Sequence, residues 1–152
     1  IVAAEYTDAT LNDWLSATLA PLSPASRRQL MRDIALYLRQ SQSQRIAAQQ
    51  NPDGTAFEPR KSRLQKPGIR RRAMFARIRT RKHLRYRASA DEAAVGFRGR
   101  VAAIAEVHQH GLIAEVEQGG PLVKYAQREL LGLSDADMSH IDTLVSKHLS
   151  GR

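Results

Sequence analysis

The residues most suggestive of a reaction centre are His108-Gln109-His110. Two histidines two apart share a face on a strand and diverge on a helix, and no cysteine or neighbouring carboxylate completes a tetrahedral set. Packing is therefore the expected role, with His108 under a short helix and His110 in its last turn near the negative end of the dipole. Glu58, Glu106, Glu115, Glu117 and Glu129 are scattered without a paired-carboxylate motif. No serine sits in a G-x-S-x-G elbow, and Gly119-Gly120-Pro121 matches no phosphate-cradling loop. The pattern predicts no enzyme, no metal and no cofactor. A metal-dependent hydrolase gathered around His108, His110 and His140 is the enzymatic alternative.

Charge is the chemistry that the chain does carry. Between Arg60 and Arg87 stand thirteen Lys or Arg, more than half of the chain's 24, and no Asp or Glu. Surfaces built for solubility mix signs, so a block this one-sided points to an anionic partner. Arg60, Lys61, Arg63, Lys66, Arg70, Arg71, Arg72, Arg77, Arg79, Arg81 and Lys82 are the residues assigned to it. They would meet phosphates or an acidic protein face, with counterion release making the affinity fall with salt. No helix-turn-helix or zinc-finger pattern accompanies them, which argues against reading of a DNA sequence. A net charge of +9 and a pI near 10.6 point the same way.

The absence of cysteine removes disulfide and thiolate chemistry and fits a reducing compartment. Nothing approaches eighteen consecutive apolar residues, and the N-terminus lacks the order of a secretory signal, so a soluble intracellular product and no membrane partner are expected. A chain of 152 residues makes one domain, residues 1–152, but 42% apolar with 5% aromatic content suggests thin elements that bury more surface in company than alone.

The elements that position these residues read as α+β: an N-terminal helical hairpin, a small antiparallel β-sheet with a short crossing helix, and a C-terminal helix. Asp8 to Ala20 places Leu11, Trp14, Leu15 and Leu19 on one stripe, with Thr7 or Asp8 as cap and Pro21 as stop. Ser23-Pro24 opens a second helix, with Leu30, Met31, Ile34 and Leu38 at helical spacing, that runs to Asn51. Its second half, Ser41 to Gln50, is polar on most faces and is expected to project into a partner or solvent. Residues 51–72 read as an extended basic loop that orders only in an assembly. A short helix over Arg72 to Arg79, strands over His83 to Ser89 and Glu92 to Phe97, and a helix from Arg100 to His108 closed by Gly111 follow. The helix presents Val101, Ile104, Ala105 and His108 on its inner face. Leu112 to Val116 and Leu122 to Tyr125 suggest a second hairpin or arm. Ser134 caps the last helix, in which Met138, Ile141, Leu144, Val145 and Leu149 form the apolar face.

Several short motifs in fixed order add a resemblance. Arg45-Ile46-Ala47-Ala48-Gln49 is followed by Asn51-Pro52-Asp53-Gly54, Pro59-Arg60-Lys61, Met74-Phe75 and Val95-Gly96-Phe97 with Gly99-Arg100. Val107-His108-Gln109 with Gly111-Leu112, and Arg128-Glu129-Leu130-Leu131-Gly132-Leu133, complete the series. From about Leu15 to Leu149 the chain resembles the phage virion morphogenesis family, with Asn51, Pro52, Asp53, Gly54, His108, Gly111, Arg128 and Gly132 as motif positions. His110 stands where the family often places an aromatic. The resemblance implies a non-enzymatic virion protein of the neck, assembled in the host cytoplasm and added at the head-proximal end of the tail to enable head joining. It implies a ring of sister subunits, six to match the tail. The other implied partners are the tail tube or tail terminator, head-closure or connector proteins, and genomic DNA in the channel. A free nucleic-acid-binding protein using residues 60–87 on phosphate backbones is the alternative.

Overall fold

A computed structural model of the chain describes residues 5–6, 9–61 and 73–151. Leu11, Leu15 and Leu19 recur every fourth residue in α1 (Ala9–Leu19), and Leu15 and Leu19 are buried. Trp14, expected on the same stripe, is 44% exposed, because the buried stripe is narrower than the sequence pattern. The expected cap residues Thr7 and Asp8 lie outside the described residues. The Ser23 hydroxyl accepts from Ser26 N at 3.2 Å and Pro24 takes the first helical position of α2 (Pro24–Ala47), where its missing N–H costs nothing. Leu30, Met31, Ile34, Ala35 and Leu38 line its buried face.

α2 ends at Ala47, short of Asn51, because Gln49 takes a positive φ of 59°. The Gln49 side chain makes up for the break, donating to Ile46 O at 2.7 Å and Met74 O at 2.9 Å while accepting from Met74 N at 2.9 Å. The polar second half of α2 does not project into solvent. Gln42 and Ile46 are buried, and its polar side chains bind later parts of the chain. Its amides and hydroxyls looked like a solvated face only because their partners are distant in sequence.

The chain from Asn51 to Lys61 is likewise folded back. Asn51 N donates to Thr55 O at 2.8 Å, Phe57 N donates to Gln49 O at 2.7 Å, and the Phe57 ring is buried against Phe75. The remainder of the expected loop, residues 62–72, lies outside the described residues. The helix expected to end at Arg79 is a run of turns over residues 74–79, with Phe75 at φ 65°; Ile78 still packs inward.

The expected hairpin forms from β2 (Leu84–Ala88) and β3 (Ala93–Phe97), antiparallel with Tyr86 opposite Val95. A short strand not read from the sequence, β1 (Glu5–Tyr6), joins the other side of β3, so the sheet order is β1-β3-β2. α2 covers this sheet on one face. α3 (Val101–His110) ends on Gly111 at φ 62°, and it buries Ala102 and Ala105 while Ile104 is exposed. β4 (Ile113–Glu115) and β5 (Leu122–Lys124) pair as the second hairpin.

α4 (Asp135–Ser150) opens on a capping box: the Ser134 hydroxyl accepts from Asp137 N at 3.1 Å, and Asp137 accepts from Ser134 N at 2.9 Å. Asp137 is fully buried because Ser41 of α2 also donates to it. α4 lies against α2, where His140 stacks on Tyr37 at 3.8 Å and Ile141 and Val145 enter the core; Met138, expected there, is 43% exposed. The architecture is α+β, as expected.

Candidate partner-binding surface

The motif residues converge on one polar knot that fixes the shape of the surface. The Arg45 guanidinium on α2 donates to the carbonyls of Gln50 at 3.0 Å, Glu129 at 2.8 Å and Leu130 at 3.1 Å. Gln42, one turn earlier, accepts from Arg45 and from Gly132 N at 3.1 Å. Asn51 accepts from Glu129 N at 2.9 Å, so the turn after α2 and the irregular segment 128–132 are tied both by this bond and through Arg45. Asp53 accepts from Thr55 N and Oγ1 at 2.9 and 2.6 Å, and these bonds hold its carboxyl below the usual range. Gly54 completes that turn at φ 85°. Gly132 lies so close to Pro52 that a Cβ there would stand 2.5 Å from the proline ring.

Arg128 makes the second half of the knot. It is buried, its Nε donates to Glu58 O at 2.7 Å and its Nη2 to Pro59 O at 3.1 Å. Nη1 lies 3.1 Å from His108 Nδ1. A guanidinium can only donate, so that nitrogen is the acceptor and His108 is the neutral tautomer with its proton on Nε2. Burial, then the charges of Arg128 and Arg60, push the His108 pKa down to about 4. Its ring is boxed edge-on by Phe75 at 4.8 Å and Tyr125 at 5.1 Å.

His108 points inward and His110 outward, as two residues two apart on a helix must. Among the described residues no cluster of three or more His, Asp or Glu could hold a metal ion. The motif positions thus act as braces. Two braces were not singled out beforehand, Arg45 and Gln109; the latter exchanges hydrogen bonds with Leu131 at 2.8 and 2.9 Å. Both stood in the motif series, but nothing in their spacing revealed carbonyl partners more than twenty residues away.

The braces hold a basic exterior. Arg60 and Lys61 are exposed at the mouth of an open groove of about 760 Å³, whose wall includes Phe75, Tyr125 and Lys124. Arg77, Arg81 and Lys82 are exposed in the turns leading to β2, whereas Arg79 is partly buried and tied to Ser43 at 3.2 Å. Arg81 shares a second groove with Arg85 of β2 and with Arg28, Arg32 and Arg39 of α2. Those three helix arginines were missed because they belong to another segment; their spacing along α2 was the available signal. Arg63, Lys66, Arg70, Arg71 and Arg72 lie outside the described residues. No described helix is long and apolar enough to cross a membrane.

Exposed apolar residues concentrate elsewhere. Ile113 is 65% and Leu122 70% exposed on the β4–β5 hairpin, with Leu112 and Val116 beside them. Trp14 and Met138 flank an apolar cleft between α1 and α4, lined also by Leu11 and Ile141.

The sequence model of the phage virion morphogenesis family matches residues 7–150 of the chain. Tail completion protein S of Escherichia phage P2 is 39% identical over 140 residues, covering 90% of this chain and 93% of that protein. No solved structure gives a significant match.

Proposed function

The chain belongs to the phage virion morphogenesis family, and on that premise we propose that it is a non-enzymatic structural protein that completes the phage tail. In this reading it forms a ring at the head-proximal end, with six copies to match the tail, and enables head joining. The exposed apolar hairpin is the observation that carries it. Two strands of three residues are marginal as an isolated hairpin, and Ile113 and Leu122 face outward instead of into the core. Exposed apolar clusters of this kind mark interaction sites.

The fitting receptor is the cleft between α1 and α4 of a sister copy. Arm and cleft are different surfaces, so their contact is head-to-tail, the type of interface that closes into a ring. The basic segment from Arg60 to Lys82 then faces an anionic neighbour in the neck, and the tail tube or terminator, head-closure or connector proteins and the DNA of the channel are its candidate contacts.

Native mass spectrometry of the Ile113→Asp, Leu122→Asp double variant tests the ring. Both side chains are largely exposed, so the circular dichroism of the wild type is expected to persist while oligomers disappear. Rings of unchanged size would refute the arm as the subunit contact.

A further inference from the structure

We propose that the groove between α2 and β2 receives an extended acidic segment of a partner protein, which adds to the sheet as a strand alongside β2. The inference rests on reading the basic face as a partner face and names the occupant.

Among the described residues β2 is the last strand of its sheet. Hydrogen bonds at the two ends of its ladder, Arg98 N to His83 O at 2.9 Å and Ser89 N to Glu92 O at 2.8 Å, set the phase. Arg85 and Arg87 therefore turn their main chain toward β3, and Tyr86 and Ala88 turn theirs to the open edge. An unpaired edge is a template for another strand.

α2 runs antiparallel beside that edge: Arg27 meets Asp91 at 3.5 Å at one end, and Ser43 binds Arg79 O at 3.0 Å at the other. Between these ends the groove presents Arg28, Arg32 and Arg39 from the helix and Arg81 and Arg85 from the strand side, with no carboxylate among the described residues that line it. Asp91 and Glu92 in the turn after β2 are engaged by Arg27 and Arg87, and Asp33 of α2 accepts from Gln29 at 2.9 Å. Leu36, 38% exposed, supplies an apolar contact between the arginines. Burial, then the charge of Arg81, disfavours the Arg39 cation, so these like charges crowd one another.

The spacing favours a peptide. Arg28 and Arg32 are one helical step of four residues apart, about 6 Å of rise. Alternate side chains on one face of a strand repeat at about 6.6 Å, so an acid-x-acid segment keeps step with them. A second copy is disfavoured because it would bring arginine rows together. Residues 62–72 carry five positive charges and no acid, which disfavours them as an internal occupant. Edge-guarding against aggregation would account for Arg85 but not for arginines on a helix. Duplex DNA would use the charge and leave the strand edge unused.

The test uses the full-length protein and a short peptide alternating Glu and Thr, with a Gln-for-Glu control and a version N-methylated on one edge. Saturable binding by the acidic peptide is expected, with slowed hydrogen exchange at the Tyr86 and Ala88 amides. Binding should weaken about tenfold or more in Arg28→Gln, Arg32→Gln, Arg39→Gln, and less in Arg32→Gln alone. The proposal is overturned if the acidic peptide does not saturate, or if the N-methylated peptide binds equally without amide protection. Preferential binding of a random DNA duplex to the same arginines would also overturn it. Native mass spectrometry of the unsubstituted protein separates the two readings: rings without peptide binding refute the groove alone, and peptide binding without rings refutes the ring alone.

Discussion

Arg128 turns its polar contacts inward, to two main-chain carbonyls and one imidazole, and this decides the chemistry of His108. An imidazole that accepts from a guanidinium and is buried among aromatic rings stays neutral down to about pH 4. Its folded pKa is depressed below the unfolded value near 6.5, so between those values the unfolded chain binds more protons and stability rises with pH. Acidification from about pH 6.5 to 4 should therefore destabilise the protein. His108→Asn, which keeps an acceptor for Arg128 but does not titrate, should flatten the dependence of melting temperature on pH in that window; an unchanged slope would assign the dependence to other groups. The sequence disclosed that His108 packs inward, since its helical spacing placed it there. It could not disclose Arg128 as the partner, because helical and strand periodicity carry no information about residues twenty positions apart.

Among the elements, α4 was the most legible, because its cap, dipole charges and apolar spacing agree with one another. The residues of its apolar face differ in depth all the same. Ile141 is buried and Leu144 only partly, so Ile141→Ala should cost about 2 to 5 kcal/mol in chemical denaturation and Leu144→Ala clearly less. Equal losses would mean that α4 sits rotated on α2. The second half of α2 was the least legible element. Gln42, Arg45 and Gln49 give a polar pattern that on a solvated helix would be surface, yet here each side chain satisfies main-chain groups of a segment folded over it. β1 escaped notice because two residues are too few to show alternation.

At the scale of the whole molecule, the charge asymmetry was evident in composition, whereas its three-dimensional distribution was not. Arg77, Arg81 and Lys82 belong to one stretch of chain, but three of the arginines that share a groove with Arg81 come from α2. Replacing Arg70, Arg71 and Arg72 together by Ala should leave the circular dichroism unchanged and abolish head joining, scored as tails that fail to become infectious particles in a complementation assay. Loss of the fold would place those side chains in structural contacts. The tie between Arg45 and the carbonyls of Glu129 and Leu130 has a further consequence for biosynthesis. A chain growing on the ribosome has made α2 long before the acceptors of its guanidinium emerge. That clasp stays open until residue 130 has emerged, so fragments released before that point would lack the tie that closes the domain and become ready prey for host proteases.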